Sequence, residues 1–270
     1  MADEALDYGL KSEALTLPAT SYLMDQLDAV DPDQVATARD FVVRALAEKN
    51  RDAWFELYDQ LCERGEYQVN AASIVRRRLR NLALSYLAAL NSNAARDCVA
   101  AQFHDASNMT DQIAAMAAMV RHGHPQAQEA LDQFEQQWRT QPLVLDKWFS
   151  VQAQAPGPGT ANAVRRLLQH PRFSMRNPNR VRALIGAFAN RNPTGFHRRD
   201  GAGYVLLSDV VIELNATNPQ VASRMVSAFN PWRHFEPTRR AAMGAQLERI
   251  AALPGLSPDV TEIVTKALAK

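Results

Sequence analysis

Glycine is scarce in this chain, with only 11 in 270 residues, and long segments rich in alanine and leucine contain none. That shortage works against a fold of many tight turns and favours helix throughout. No Asn-Gly turn sits between alternating apolar runs, so the usual seed of a β-hairpin is missing. Cysteine is nearly absent. Cys62 and Cys98 each lie among apolar residues of a helical pattern, which predicts buried free thiols and a reducing, cytoplasmic compartment. Charge of one sign is also lacking: 30 basic side chains face 29 acidic ones for a net charge of +1. No global field steers such a chain toward polyanions, so nucleic acid is not an expected partner. The longest charge-free helix candidate, Asn81 to Ala95, is broken by Asn, Ser and Tyr and falls short of the roughly 20 residues a bilayer requires. The first residues, Met1 to Asp7, are acidic where an export signal needs a basic start and an apolar core. A soluble protein without membrane association is expected.

What the chain does contain is apolar content of 47%, spaced at three and four residues. Phe41, Val42, Ala45 and Leu46 form one such stripe, and Trp54, Phe55, Leu57, Tyr58 and Leu61 the next. Asp31-Pro32, Asn177-Pro178, Asn218-Pro219 and Ser257-Pro258 each pair a capping side chain with a proline suited to the first helical turn. The pattern predicts about fourteen helices, over roughly 20–30, 33–49, 51–64, 71–91, 94–104, 109–122, 125–139, 142–153, 159–170, 178–190, 203–216, 219–228, 237–253 and 258–269. Short connections make successive helices antiparallel neighbours. Helices opened at Asn108, Gln141, Asn177 and Asn218 recur at steps of roughly 33 to 41 residues, the size of a helical-hairpin repeat. The fold expected is therefore all-α, an α-solenoid in which armadillo- or HEAT-like antiparallel pairs wind into a superhelix. The irregular stretches, Gln154 to Gly159 and Asn192 to Gly203, do not separate halves of different composition. One domain over 1–270 is expected, with a concave face suited to binding.

Catalytic patterns are missing. Adjacent helical turns must aim two histidines at one ion, as H-E-x-x-H does, and the six histidines offer only His122-Gly-His124 as a close pair, at a helix C-terminus where capping explains them. No G-x-S-x-G elbow occurs, and neither cysteine has a C-x-x-C partner or an electropositive flank. Gly201-Ala-Gly203 lacks the preceding strand and third glycine of a phosphate cradle and reads as a turn into a helix. Arg76-Arg77-Arg78-Leu79-Arg80 could neutralise successive phosphates, but it lies within an amphipathic helix and is expected to be a solvated or ion-paired face. Trp148 and Phe149 are expected in the core.

Several blocks, in order along most of the chain, resemble the C-terminal helical domain of the bacterial aminopeptidase N family. They are Gln102-Phe-His-Asp-Ala-Ser-Asn-Met-Thr-Asp111, Leu145-Asp-Lys-Trp-Phe149, Leu167-Leu-Gln-His-Pro171, Asn177 to Phe188, Phe196-His197 with Asp200-Gly-Ala-Gly-Tyr204, and Asn218-Pro-Gln-Val-Ala-Ser-Arg224. The resemblance implies a noncatalytic part of a zinc aminopeptidase that removes N-terminal residues from peptides. Zinc would belong to the catalytic domain absent from this chain, and this chain would hold no cofactor and no metal. It also implies a helical bowl that caps the active site, with the parent's own catalytic domain and peptide substrates as partners. By matching positions, Arg182, Gln220 and Arg224 are implied to line the peptide cavity, and no residue of this chain is implied to be catalytic. The alternative reading is a free-standing helical-repeat scaffold that binds a protein partner through its concave face.

Overall fold

The computed structural model describes residues 6–63 and 65–269. Met1 to Ala5, the greater part of the acidic start, together with Arg64 and Lys270, lie outside them. The described residues form helices and no strand, and their one isolated β-bridge joins Val30 to Phe235. Many helices start as the polar punctuation dictates. The side chains of Asn70, Ser92, Asn108, Asn177 and Asn218 each accept from a backbone N–H of the following turn, satisfying donors that have no intrahelical partner. Gly123 ends Met109–His122 with φ 62, a left-handed position where a Cβ would be strained.

The chain divides into two compact units. One comprises the segment ending at Ala19 with Thr37–Arg139, and the other Thr20–Ala36 with the chain from Thr140 on. The division falls inside the helix Pro32–Lys49.

In the first unit the helix Ala71–Ala89 packs against Tyr8–Leu15, Arg51–Gln60 and Met109–His122. Leu79, Ala83, Leu84 and Leu87 on it are fully buried, because apolar residues at three and four residue spacing form one stripe. Trp54 stacks on Tyr86 with ring centroids 4.2 Å apart, and the Tyr86 hydroxyl donates to the Leu15 carbonyl. Two aromatic side chains thus tie three helices, and burying each is worth roughly 1.5–3 kcal/mol.

In the second unit the helix Ala202–Thr217 is buried nearly all round. Tyr204, Leu207, Val211 and Leu214 are fully covered, and the helix packs against Pro219–Val226 and Pro237–Ala251. Phe196 meets Phe188, Tyr204 and Phe229 edge-on or tilted. Trp148 and Phe149 are buried side by side, as the sequence predicts.

Several expectations change. The helix expected over 20–30 stops at Met24, because the chain turns so that the Val30 N–H can donate to the His234 carbonyl at 2.7 Å and its carbonyl accept from Glu236 at 3.0 Å. The helix expected over 178–190 is interrupted by a π turn, Arg182–Gly186, between Pro178–Val181 and Ala187–Arg191. The stretch 192–203 is not an open loop: it contains the helix Pro193–Phe196 and buries Asn192, Phe196 and His197. Its polarity misled, because Asn192 spends its amide on the carbonyls of Ala153 and Ala155. A helix not anticipated from the pattern occupies Tyr8–Leu15, and Cys62 and Cys98 are half-buried rather than buried.

Candidate functional site

Arg182 opens the π turn, a widened turn that often marks functional positions. Its side chain is exposed, and Nη1 donates to the Asn179 side chain at 2.9 Å. At the other end of the turn, the Asn190 side-chain amide donates to the Gly186 oxygen at 2.9 Å. A Cβ built on Gly186 would lie 3.8 Å from the Arg182 Cβ and 3.8 Å from the Met225 Cε. The π turn and the helix Pro219–Val226 therefore meet at a residue with no side chain. On that helix Gln220 and Arg224 stand four residues apart, so they share a face, and both are exposed. Val221, Ala222, Met225 and Val226 fill the opposite face. Neither Arg182 nor Arg224 is paired with a carboxylate among the described residues.

The second unit also holds a charge cluster invisible to sequence periodicity. Arg239 is completely buried. Its guanidinium donates to Asp31 and Glu236, each at 3.2 Å, to Asp33 at 2.5 Å, and to the His197 carbonyl. Arg199, largely exposed, reaches Asp31 at 3.0 Å from outside. Burial by itself would raise the Asp31 carboxyl, but the Asp33 N–H and the Arg239 charge outweigh it and hold it below the usual carboxylate range. Asp31 thus caps the helix, as its Asp-Pro pair predicts, and anchors Arg239 too.

His197 is packed against that cluster. Its Nδ1 lies 3.0 Å from the Tyr204 hydroxyl and its ring stacks on Phe235 at 4.4 Å. Burial, and then the Arg239 charge, push it down to about 3, so it is neutral near pH 7. His122 is pushed down to about 4, chiefly by burial. His124 uses Nδ1 to accept from the Gln126 N–H, the local capping role expected of this pair.

The arginine run is an ion-paired face. Arg77 pairs with Glu63 at 3.0 Å and lies over Tyr67, Arg78 pairs with Glu13 at 2.6 Å, and Arg80 lies over Tyr58 and bonds its hydroxyl at 2.9 Å. Of the Asn-Arg-Val-Arg block, Arg180 is structural: it is buried against Asp146 at 2.6 Å and lies over Phe149. Of the block's two arginines, Arg182 is the one that faces out. Among the described residues no three His, Cys, Asp or Glu side chains are grouped to hold a metal ion. None of their helices is long and apolar enough to cross a membrane.

Stacked helices, with no strand among the described residues, define a helical-repeat domain. Residues 1–269 match the model of the DUF3458_C domain of unknown function, described as ARM repeats. The chain belongs to that family, and it corresponds to the C-terminal domain of aminopeptidase N. It is 40% identical over 269 residues to aminopeptidase N of Escherichia coli, covering 100% of this chain and 31% of that protein. It is 40% identical over 270 residues to aminopeptidase N of Caulobacter vibrioides, covering 99% of this chain and 31% of that protein. A crystal structure of Legionella pneumophila aminopeptidase A in complex with aspartic acid superimposes with a TM-score of 0.90 at 28% identity, over 99% of this chain and 32% of that one. The chain thus spans about a third of the length of these relatives.

Proposed function

We propose that this chain is the noncatalytic C-terminal domain of a zinc aminopeptidase that removes N-terminal residues from peptides in the cytoplasm. It caps the parent's catalytic domain, and Arg182, Gln220 and Arg224 face the peptide cavity. One observation carries the reading: three exposed polar side chains, two of them guanidiniums without a carboxylate partner among the described residues, stand on segments that meet at Gly186. A free guanidinium offers a planar fork of N–H donors to a peptide carbonyl or terminal carboxylate, and the Gln220 amide adds a donor and an acceptor. The described residues do not fit zinc, so the metal and the hydrolytic step are assigned to the catalytic domain, and this chain binds and confines.

The test is Arg224→Ala in the full-length parent enzyme. Losing one hydrogen bond to a charged group predicts a rise of about tenfold in KM for a tetrapeptide. An aminoacyl anilide, too short to reach the cavity wall, should change less than twofold. Equal effects on both substrates, or none on either, would refute cavity lining. An upstream reading frame without H-E-x-x-H would turn the reading toward a scaffold.

A further inference from the structure

A cavity of about 260 Å³ lies in the second unit, and none of Arg182, Gln220 and Arg224 lines it. Its volume is far beyond a single water, whose share of the liquid is ~30 Å³. Met24, Val30 and Phe235 supply an apolar, buried wall, and Ser21, Asp25 and Asn190 an exposed rim. Among the described residues no lysine or arginine lines it, and the Asp25 carboxylate is the one fixed charge there. Asp25 forms no ion pair with a described residue.

One lining residue is a nearly buried histidine. His197 lines the cavity and is only 6% exposed. Its Nδ1 is taken by the Tyr204 hydroxyl, and its Nε2 has no partner among the described residues. The buried phenol is satisfied when its O–H donates to Nδ1, which leaves the hydrogen of the neutral ring on Nε2, able to donate to a ligand in the cavity. Arg239 behind the ring does not repel a cation, because Asp31, Asp33 and Glu236 surround it. A complementary ligand has an ammonium for Asp25, a hydrogen-bond acceptor for Nε2–H and an apolar body for the wall.

We propose that this cavity binds a small organic ammonium compound bearing an apolar group and a carbonyl acceptor, the chemistry of an apolar amino acid amide. Asp25 holds the ammonium and His197 donates to the carbonyl. The site needs none of the residues invoked for the peptide cavity, so either assignment can fail while the other stands.

The experiment titrates the 270-residue chain with L-phenylalaninamide and follows its histidine ring signals by NMR, with calorimetry for affinity. Saturable movement of the His197 signals is expected while those of His122, half-buried in the other unit, stay still. Phenethylamine, lacking the carbonyl, and 3-phenylpropanamide, lacking the ammonium, should each bind at least fivefold more weakly. Asp25→Asn, an exposed substitution that leaves the packing alone, should weaken phenylalaninamide at least fivefold and leave 3-phenylpropanamide unchanged. Ser21→Trp at the rim should block all three probes. The proposal is overturned if the His197 signals do not saturate, or if Asp25→Asn and Ser21→Trp both bind phenylalaninamide as the unaltered chain does.

Discussion

Arg239 and Arg199 touch the same two aspartates from opposite sides of the surface, and the physical difference between them is solvent. Arg199 is 67% exposed, whereas Arg239 is fully buried. Truncating Arg239 leaves Asp31 and Glu236 without their inner cation. Removing one partner of a buried pair costs about 3–5 kcal/mol, and Arg239→Ala should lower stability to urea by that much. Arg199→Ala should cost under ~1 kcal/mol, since an exposed pair is weak and screened. Two histidines that the fold desolvates, His197 fully and His122 in part, give the pH counterpart. His197 titrates at about 3 and His122 at about 4 in the fold, against 6.5 when free. A depressed folded value means the unfolded chain binds the proton more tightly. Their contribution is fully present above pH 6.5 and is lost as pH falls from there toward 4 and 3. Urea midpoints measured between pH 7 and 4.5 should fall with acid, and His197→Gln should flatten that slope. None of this was legible in the sequence: Thr-Arg-Arg at 238–240 looks like any exposed helix face, and burial separates Arg239 from Arg240 only once the elements pack.

The glycines discriminate at the scale of the element. A Cβ on Gly203 would stand 2.1 Å from the Phe196 carbonyl oxygen, a backbone atom with no freedom to move aside. Gly203→Ala should therefore reach or exceed the top of the ~1–3 kcal/mol range of overpacking, and would separate Ala202–Thr217 from Pro193–Phe196. Gly123→Ala meets no atom within 4 Å but sits at φ +62, so its cost should be the left-handed penalty alone, about 1–2 kcal/mol. Thermal unfolding of the two variants checks the ranking. The sequence marked both glycines as turn residues, and it could not tell conformational need from close approach. The π turn was equally hidden. The residues of Arg182–Gly186 have the composition of ordinary helix, and no propensity encodes the wider turn they adopt.

For the molecule as a whole, the notable connection is between residues 20–36 and the chain beyond 140. Asp31 and Asp33 supply carboxylates to Arg239, and Val30 shares backbone hydrogen bonds with His234 and Glu236. A fragment beginning at Thr140 would strip Arg239 of Asp31 and Asp33, leaving Glu236 and the His197 carbonyl, and leave Phe235 without its bridge partner. Its circular-dichroism melt should be broad and low, and fusing residues 20–36 to the fragment should restore a cooperative transition. A fragment that melts as the fusion does would show these contacts to be dispensable.

The sequence by itself determined the helical class, most helix starts, the core placing of Trp148 and Phe149, and the family, because caps, three- and four-residue spacing and aligned blocks are local properties of the chain. It also singled out Arg182, Gln220 and Arg224, through resemblance alone. Tertiary structure decided which arginine of Asn-Arg-Val-Arg is buried, that Asn192, Phe196 and His197 join the core, and that Asp31 and Arg239 are partners. Those outcomes depend on groups far apart in sequence competing to leave water, and no local pattern records which of them find a partner when they do.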